Sequence, residues 1–156
     1  MLFESGAIAM HIAERSTALM PVAPDRTART RTWMLAALST VEPPILALNA
    51  LNALNALGMT APGSEGVAEA RDKIARFVTQ RLQSLSDWLE GREHLEGEFS
   101  AADLLTTSVL RILRDTYRVS SMPVLQAYQQ RCEARPAFAR ALAAQMRPFA
   151  TNAPAG

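Results

Sequence analysis

Glu4, Ser5 and Gly6 lie where the first residues of MLFESGAIAMHIAE pass into an apolar, helix-like pattern. The first amides of a helix have no intrahelical acceptor and carry a partial positive charge. Such a turn can hold an anion. Two purely structural roles stay open, because Ser5 can cap the helix and Glu4 can favour its positive end.

Phe99, Ser100, Asp103 and Leu104 have the spacing of a helix start. The Ser100 hydroxyl can accept from the Asp103 amide while the Asp103 carboxylate accepts from the Ser100 amide, and Phe99 can pack on Leu104. These residues are therefore interpreted as structural, and removal of the Ser100 cap is expected to cost roughly 0.5–2 kcal/mol.

Cys132 is the single cysteine, and the two histidines are His11 and His94. One cysteine cannot form an internal disulfide, which favours a reducing cytoplasm. Cys132 fits a buried thiol better than a nucleophile. The spacing of the histidines predicts no metal site, and the sequence contains no glycine-rich phosphate loop or nucleophile elbow.

The composition is that of an ordinary globular domain. Of 156 residues, 49% are hydrophobic and 20% are charged, which excludes a disordered chain. Sixteen basic and fifteen acidic residues give a net charge of +1, so no nucleic-acid surface is expected. No basic leader precedes an apolar stretch, and no apolar run approaches the roughly 18 residues of a membrane span, so a cytoplasmic chain without a membrane partner is expected.

The first half of the chain predicts two helices and a repeat. A short helix is expected from Ser5 to about Arg15, followed by the proline-bearing linker MPVAP. A second helix, capped by Asp25, should kink or break at Pro43-Pro44. The leucines of LALNALNALNALG recur every three residues, and this segment is interpreted as a buried helix tail that ends at Gly58.

The second half predicts the remaining helices. Ser64 is a candidate cap for a helix whose apolar positions run from Val67 to Leu89 at spacings of three and four. Another helix should start at Met122-Pro123, and Pro136 should precede a last short one. The pattern predicts an all-α bundle of about five helices with one preceding short helix.

Three motifs in this order resemble the glutathione S-transferase family, namely ESGAI at 4–8, FSAADLL at 99–105 and YQQRCEARPAFARAL at 128–142. The resemblance implies a glutathione S-transferase C-terminal-like helical bundle. It divides the chain into a remnant of the thioredoxin-like domain (1–19), a linker (20–24) and the helical domain (25–156).

The resemblance also implies a reaction, the conjugation of glutathione to a small electrophile, with glutathione as co-substrate rather than cofactor. Ser5 and its amide would hold the carboxylate of the γ-glutamyl group, and Glu4 would meet its amine. Trp33, Met34 and Ala37 would line the electrophile pocket, although they suit a core equally well. A homodimer is implied as well.

Three residues precede Glu4, whereas the family's thiol-activating residue and its cis-proline loop lie farther upstream. The isolated chain is therefore expected to lack independent catalysis, and it is interpreted as a truncated product, a mis-started gene model or a fragment. Two alternatives stay open: a non-catalytic helical protein-interaction module, and a carrier of apolar ligands. Without the sheet that covers the first helix in the family, Ile8, Met10 and Ile12 should be exposed and favour association or fraying.

Overall fold

A computed structural model describes residues 1–59 and 65–151, the side chains of residues 150 and 151 excepted. Extended pairing within these ranges is limited to one isolated bridge between Glu96 and Glu98. The all-α prediction is confirmed. The helices are α1 Ser5–Ala13, α2 Pro24–Ala36, α3 Glu42–Ala56, α4 Glu65–Leu89, α5 Ala101–Leu110, α6 Pro123–Glu133 and α7 Pro136–Thr151.

Helices α2 and α3 form one continuous rod, because a π-helical segment, Ala37–Val41, joins them. The Glu42 amide bonds to the Ala37 carbonyl, one residue farther back than in an α-helix. Pro43 and Pro44 fall in the first turn of α3, where their missing amides cost little. The predicted kink or break therefore becomes a widened turn.

The core surrounds α5, which packs on α2, on the π-helical segment and on α6. Eight of its ten residues are buried, since polar Thr106 and Thr107 face inward together with the apolar positions. Helices α3, α4 and α6 supply the opposing side chains. The largest buried apolar ones include Met34, Ile45, Leu82, Leu89, Leu110, Leu113, Leu125 and Tyr128.

The segment between α1 and α2 is attached to the bundle. The Ala101 amide at the start of α5 donates to the Leu19 carbonyl at 2.8 Å, and Met20 is buried. Arg31 and Glu14 form an ion pair at 2.7 Å between α2 and the end of α1. The segment 20–24, which was expected to be a linker, is therefore held against the bundle at its first residue, Met20.

Several helix boundaries were predicted correctly. Helix α4 includes the whole apolar pattern from Val67 to Leu89, Met122 is the N-cap of α6, and α7 starts at Pro136. The Asp25 prediction is wrong: Ala23 is the N-cap of α2, and Asp25 lies in its first turn. The Ser64 prediction lies outside the described residues.

The leucine repeat is only partly buried. Leu48 is 2% exposed, whereas Leu54 and Leu57 are 40% and 72% exposed. A three-residue spacing drifts around a 3.6-residue helix, so the later leucines leave the core face. Gly58 follows the helix with φ 66°, as expected of a C-terminal glycine, but the prediction of a buried tail is wrong at Leu54 and Leu57.

The rod Pro24–Ala56 is long and apolar enough, by length and composition, to cross a membrane. The expectation that no stretch reaches such a length is therefore wrong, because the two prolines do not end the helix. One helix of this kind is weak evidence, since core helices and signal sequences have the same properties.

Candidate functional site

The start of α1 is open. Its first intrahelical bond runs from the Ile8 amide to the Glu4 carbonyl at 3.0 Å, so the amides of Ser5, Gly6 and Ala7 precede the helical ladder. Glu4 is the N-cap residue and provides no side-chain capping bond. The predicted alternative role of Ser5 as the cap is therefore wrong.

Glu4 has the backbone angles φ 70° and ψ 121° and is the one described non-glycine residue with positive φ. An L-residue in this region carries steric strain, and such strain is concentrated at functional sites. The side chains of Glu4 and Ser5 are exposed, and within the described residues neither makes a hydrogen bond or ion pair. The turn therefore presents a carboxylate, a hydroxyl and free amides to solvent.

Leu38 of the π-helical segment lies beside this turn. A Cβ atom placed on Gly6 would be 2.6 Å from Leu38 Cδ1, so α1 approaches the rod closely only because residue 6 is glycine. The sequence prediction missed Leu38. Its position four residues after Met34 could have indicated it.

The predicted pocket residues lie deeper in the bundle than expected. Met34 and Ala37 are 1% and 2% exposed and belong to the core. Trp33 is half-buried and stacks at a tilt on Trp88 of α4, with ring centroids 5.3 Å apart. Among the residues of the rod, Leu38 is the one in closest approach to Gly6, and a pocket role for Trp33, Met34 and Ala37 stays a prediction.

The start of α5 contains the predicted capping box. Ser100 Oγ accepts from the Ala102 amide at 3.3 Å, and Asp103 Oδ2 accepts from the Ser100 amide at 2.9 Å. The box is complete, with both reciprocal bonds present. Phe99 packs against the core, while Leu104 is 43% exposed.

Asp103 does more than cap the helix. Its Oδ1 accepts from the Leu95 amide and from the Tyr128 hydroxyl, each at 3.0 Å. Burial raises the pKa of Tyr128 well above its usual range, and the nearby Asp103 charge adds to this effect. The carboxylate thus joins α5, α6 and the segment before α5 in one buried network.

His94 and Cys132 border the same network. Burial lowers the pKa of His94, and the Asp103 charge offsets part of that effect. Burial also raises the pKa of the Cys132 thiol. A thiol that is buried and protonated is a poor nucleophile, as the sequence indicated.

The fold brings His94, Asp103 and Cys132 together although their sequence spacing did not suggest it. One ligand atom from each lies within 4.8 Å of the other two. However, both oxygens of Asp103 already accept two hydrogen bonds from the protein itself. The chain's own donors account for this carboxylate without an ion.

Several solved structures that share this arrangement of helices are glutathione transferases. A transferase from Burkholderia graminis, with two glutathione molecules bound per subunit, is 26% identical, with a TM-score of 0.75 over 89% of this chain and 58% of that chain. The chain is related to the glutathione transferase family. The relationship rests on this match together with the many further transferases of the same fold.

Two of those further matches come from Pseudomonas. The transferase from Pseudomonas putida, with one glutathione disulfide bound per subunit, is 23% identical over 89% of this chain and 60% of that chain, with a TM-score of 0.73. The transferase from Pseudomonas fluorescens is 23% identical over 86% of this chain and 65% of that chain, with a TM-score of 0.72. The chain therefore spans about three fifths of these proteins.

Comparisons that use the sequence alone find no relative. Neither a protein-family model nor a curated protein matches the chain. The relationship is therefore visible chiefly in the three-dimensional arrangement.

Proposed function

We propose that this chain is the helical, C-terminal part of a glutathione transferase and serves the conjugation of glutathione to a small electrophile. The observation that supports the proposal is the strained, unpartnered turn at Glu4 and Ser5, which opens the start of α1 in a fold shared with a glutathione-bound transferase. In this proposal residues 25–156 form the helical domain, and residues 1–19 continue a thioredoxin-like segment.

Ser5 and Glu4 have complementary roles in the proposal. The γ-glutamyl end of glutathione carries a carboxylate and an ammonium group. The Ser5 hydroxyl and the first amides of α1 would bind the carboxylate. The Glu4 carboxylate, exposed and without an ion pair in the described part of the chain, would bind the ammonium.

For the isolated chain we propose binding of glutathione without conjugation. The attacking species is a thiolate, which needs a group that lowers the thiol pKa. Family resemblance assigns that group to the thioredoxin-like segment, and Cys132 is too buried to replace it. The proposal includes a homodimer, since Ile8 and Ile12 are 40% and 54% exposed and would be covered in a larger assembly. It also includes a cytoplasmic location, which the single cysteine, Cys132, favours.

A calorimetric titration with glutathione tests the proposal. Binding should weaken at least tenfold in Ser5→Ala and in Glu4→Gln, because each loses a charge-assisted bond. Ser84→Ala is the matched control, since Ser84 is an exposed serine on α4 that bonds only to its own helix, through the Gln80 carbonyl. The dipeptide Cys-Gly, which lacks the γ-glutamyl group, should not bind.

Two outcomes would contradict the proposal. The first is equal affinity for glutathione and Cys-Gly, and the second is unchanged binding in both site variants. A folded chain that takes up no glutathione would favour the protein-interaction alternative, with capture of a specific partner as the next experiment.

A further inference from the structure

Helix α1 meets the rod at its first turn, through a contact between Gly6 and Leu38. Leu38 belongs to the π-helical segment Ala37–Val41, and a Cβ atom on Gly6 would lie 2.6 Å from its Cδ1. Carbon atoms in contact are ordinarily about 3.5–4.0 Å apart. The Leu38 methyl group therefore leaves no room for a side chain at residue 6.

Both sides of this Leu38–Gly6 contact are anchored in the core. Leu38 is partly buried and packs against the core, next to the buried Ala37. On α1, Met10 and Ala13 lie one and two turns after Gly6 on the same face. Met10 packs against the core and Ala13 is buried. Neither side can therefore move away from the other without disturbing core packing.

The contact lies where the rod departs from regular α-helix. Single π-helical turns inside α-helices are rare and occur frequently at functional sites. Leu38 is in this turn, and Gly6 is in the turn of α1 whose amides precede the helical ladder. The irregular turn of the rod thus touches the open start of α1.

We propose that Leu38 is a positioning residue for the turn at Glu4 and Ser5. It fixes Gly6, and through Gly6 the directions in which the first amides of α1 point. This inference rests on the proposed function, in which those amides bind the γ-glutamyl carboxylate. Hydrogen bonds weaken steeply when the donor turns away from the acceptor, so the amides bind the carboxylate only if the turn is held in place.

An alanine at residue 6 distinguishes this role from helix propensity. Alanine is a better helix former than glycine, so Gly6→Ala should stabilise α1 by propensity alone. The Leu38–Gly6 contact predicts the opposite result. The new Cβ atom has to displace Leu38 or push the first turn of α1 away from the rod.

A size exchange across the contact is the experiment, followed by calorimetric titration with glutathione at a temperature at which every variant is folded. Gly6→Ala should weaken binding roughly tenfold, as expected for one lost charge-assisted hydrogen bond. Leu38→Ala removes the methyl group that the new Cβ atom would meet. The double variant Gly6→Ala/Leu38→Ala should therefore recover most of the lost affinity.

Two matched variants control for the substitutions themselves. Gly66 is the second residue of α4 as Gly6 is of α1, and a Cβ atom there would meet nothing within 4 Å. Leu35 is a leucine of the same rod that is 57% exposed. Gly66→Ala and Leu35→Ala should both bind glutathione with the native affinity.

Amide hydrogen exchange gives a second measurement that does not depend on glutathione. The Ile8 amide makes the first bond of α1, to the Glu4 carbonyl at 3.0 Å. Its exchange should be faster in Gly6→Ala than in the native chain, and it should return towards the native rate in the double variant. Helix propensity alone would make the exchange slower.

Native affinity for glutathione in Gly6→Ala would overturn the proposal, as would a loss of affinity that the double variant does not recover. If the folded native chain takes up no glutathione, the transferase proposal fails, and exchange at Ile8 decides whether Leu38 fixes the turn. Unchanged or slower exchange in Gly6→Ala would then overturn the role of Leu38. The two failures are therefore distinguishable.

Discussion

The first amides of a helix have no intrahelical acceptor. The starts of α1 and α5 differ in whether the protein's own side chains bind these amides. At α5, Ser100 and Asp103 satisfy the first amides, and both side chains are buried. At α1, Glu4 has positive φ and provides no capping bond. One helix start thus contributes stability to the fold, while the other keeps its hydrogen-bonding capacity unused.

The difference indicates how a structural carboxylate can be told from a binding one. Asp103 is surrounded by donors of its own chain and has no capacity left for a ligand. Glu4 is exposed, strained and without a partner in the described residues. A strained backbone that the protein does not use for its own bonds favours a functional role.

The largest effect is expected from Asp103→Ala. The substitution leaves the Leu95 and Ser100 amides and the Tyr128 hydroxyl without their acceptor inside the core. Each buried group left unsatisfied costs about 1–3 kcal/mol, so the free energy of unfolding should fall by about 3 kcal/mol or more in urea titration.

Asp103→Asn is its control, because an amide oxygen can still accept from the Ser100 or Leu95 amide. It should lose clearly less stability than Asp103→Ala. Equal stability of Asp103→Ala and the native chain would show that the buried network contributes nothing.

The next largest effect is a difference in stability between the Ser100→Ala and Ser5→Ala variants. Ser100→Ala should lower the free energy of unfolding by about 1 kcal/mol, as expected for a lost N-cap. Ser5→Ala should leave it unchanged, because Ser5 makes no capping bond. Denaturant titrations of both variants check this, and a loss in Ser5→Ala equal to that in Ser100→Ala would erase the contrast between the helix starts.

Glu4→Gly should raise stability while it weakens glutathione binding. Glycine adopts positive φ without the steric cost that Glu4 bears at φ 70°, and the gain should be about 1 kcal/mol at most. Thermal unfolding and calorimetry on the same samples measure the two effects. A stability loss would mean that the Glu4 side chain supports the fold after all.

The smallest effect is a pH dependence from His94. Its pKa in the folded chain lies below the ordinary value of 6.5, so the unfolded chain binds more protons as the pH falls through 6.5. The free energy of unfolding should therefore decrease from pH 7.5 towards pH 5.5 and level off below the folded-state pKa.

Between pH 7.5 and pH 5.5, the free energy of unfolding should decrease less in His94→Gln than in the native chain, because the variant has no imidazole at residue 94 to protonate. If His94→Gln and the native chain lose stability equally, His94 is not the group that titrates.

Periodicity and capping predicted much of this fold because they are local. The apolar spacing of α4, the Ser100 and Asp103 pair and the prolines before α6 and α7 each act within one or two turns. The start of α1 was also predicted, since a polar pair before an apolar helix is a local pattern as well.

The features that the sequence did not predict depend on contacts between distant residues. His94, Asp103 and Cys132 come from three separate segments, so only the packing of α5 on α6 reveals their proximity. Met10 was expected to be exposed with Ile8 and Ile12, but it packs against the core, so the exposed-face prediction is wrong for Met10.

The widened turn at Ala37–Val41 sets the angular phase between α2 and α3. It holds one residue more than an α-helical turn. Deletion of Ser39 would rotate everything after it by about 100°. Leu46, now exposed, would then take the buried position of Ile45, and the polar Asn49 would take that of Leu48. This segment should therefore accept substitutions at the exposed Ser39 and Thr40 but no change of length, and a family alignment should show residue variation at these two positions without gaps.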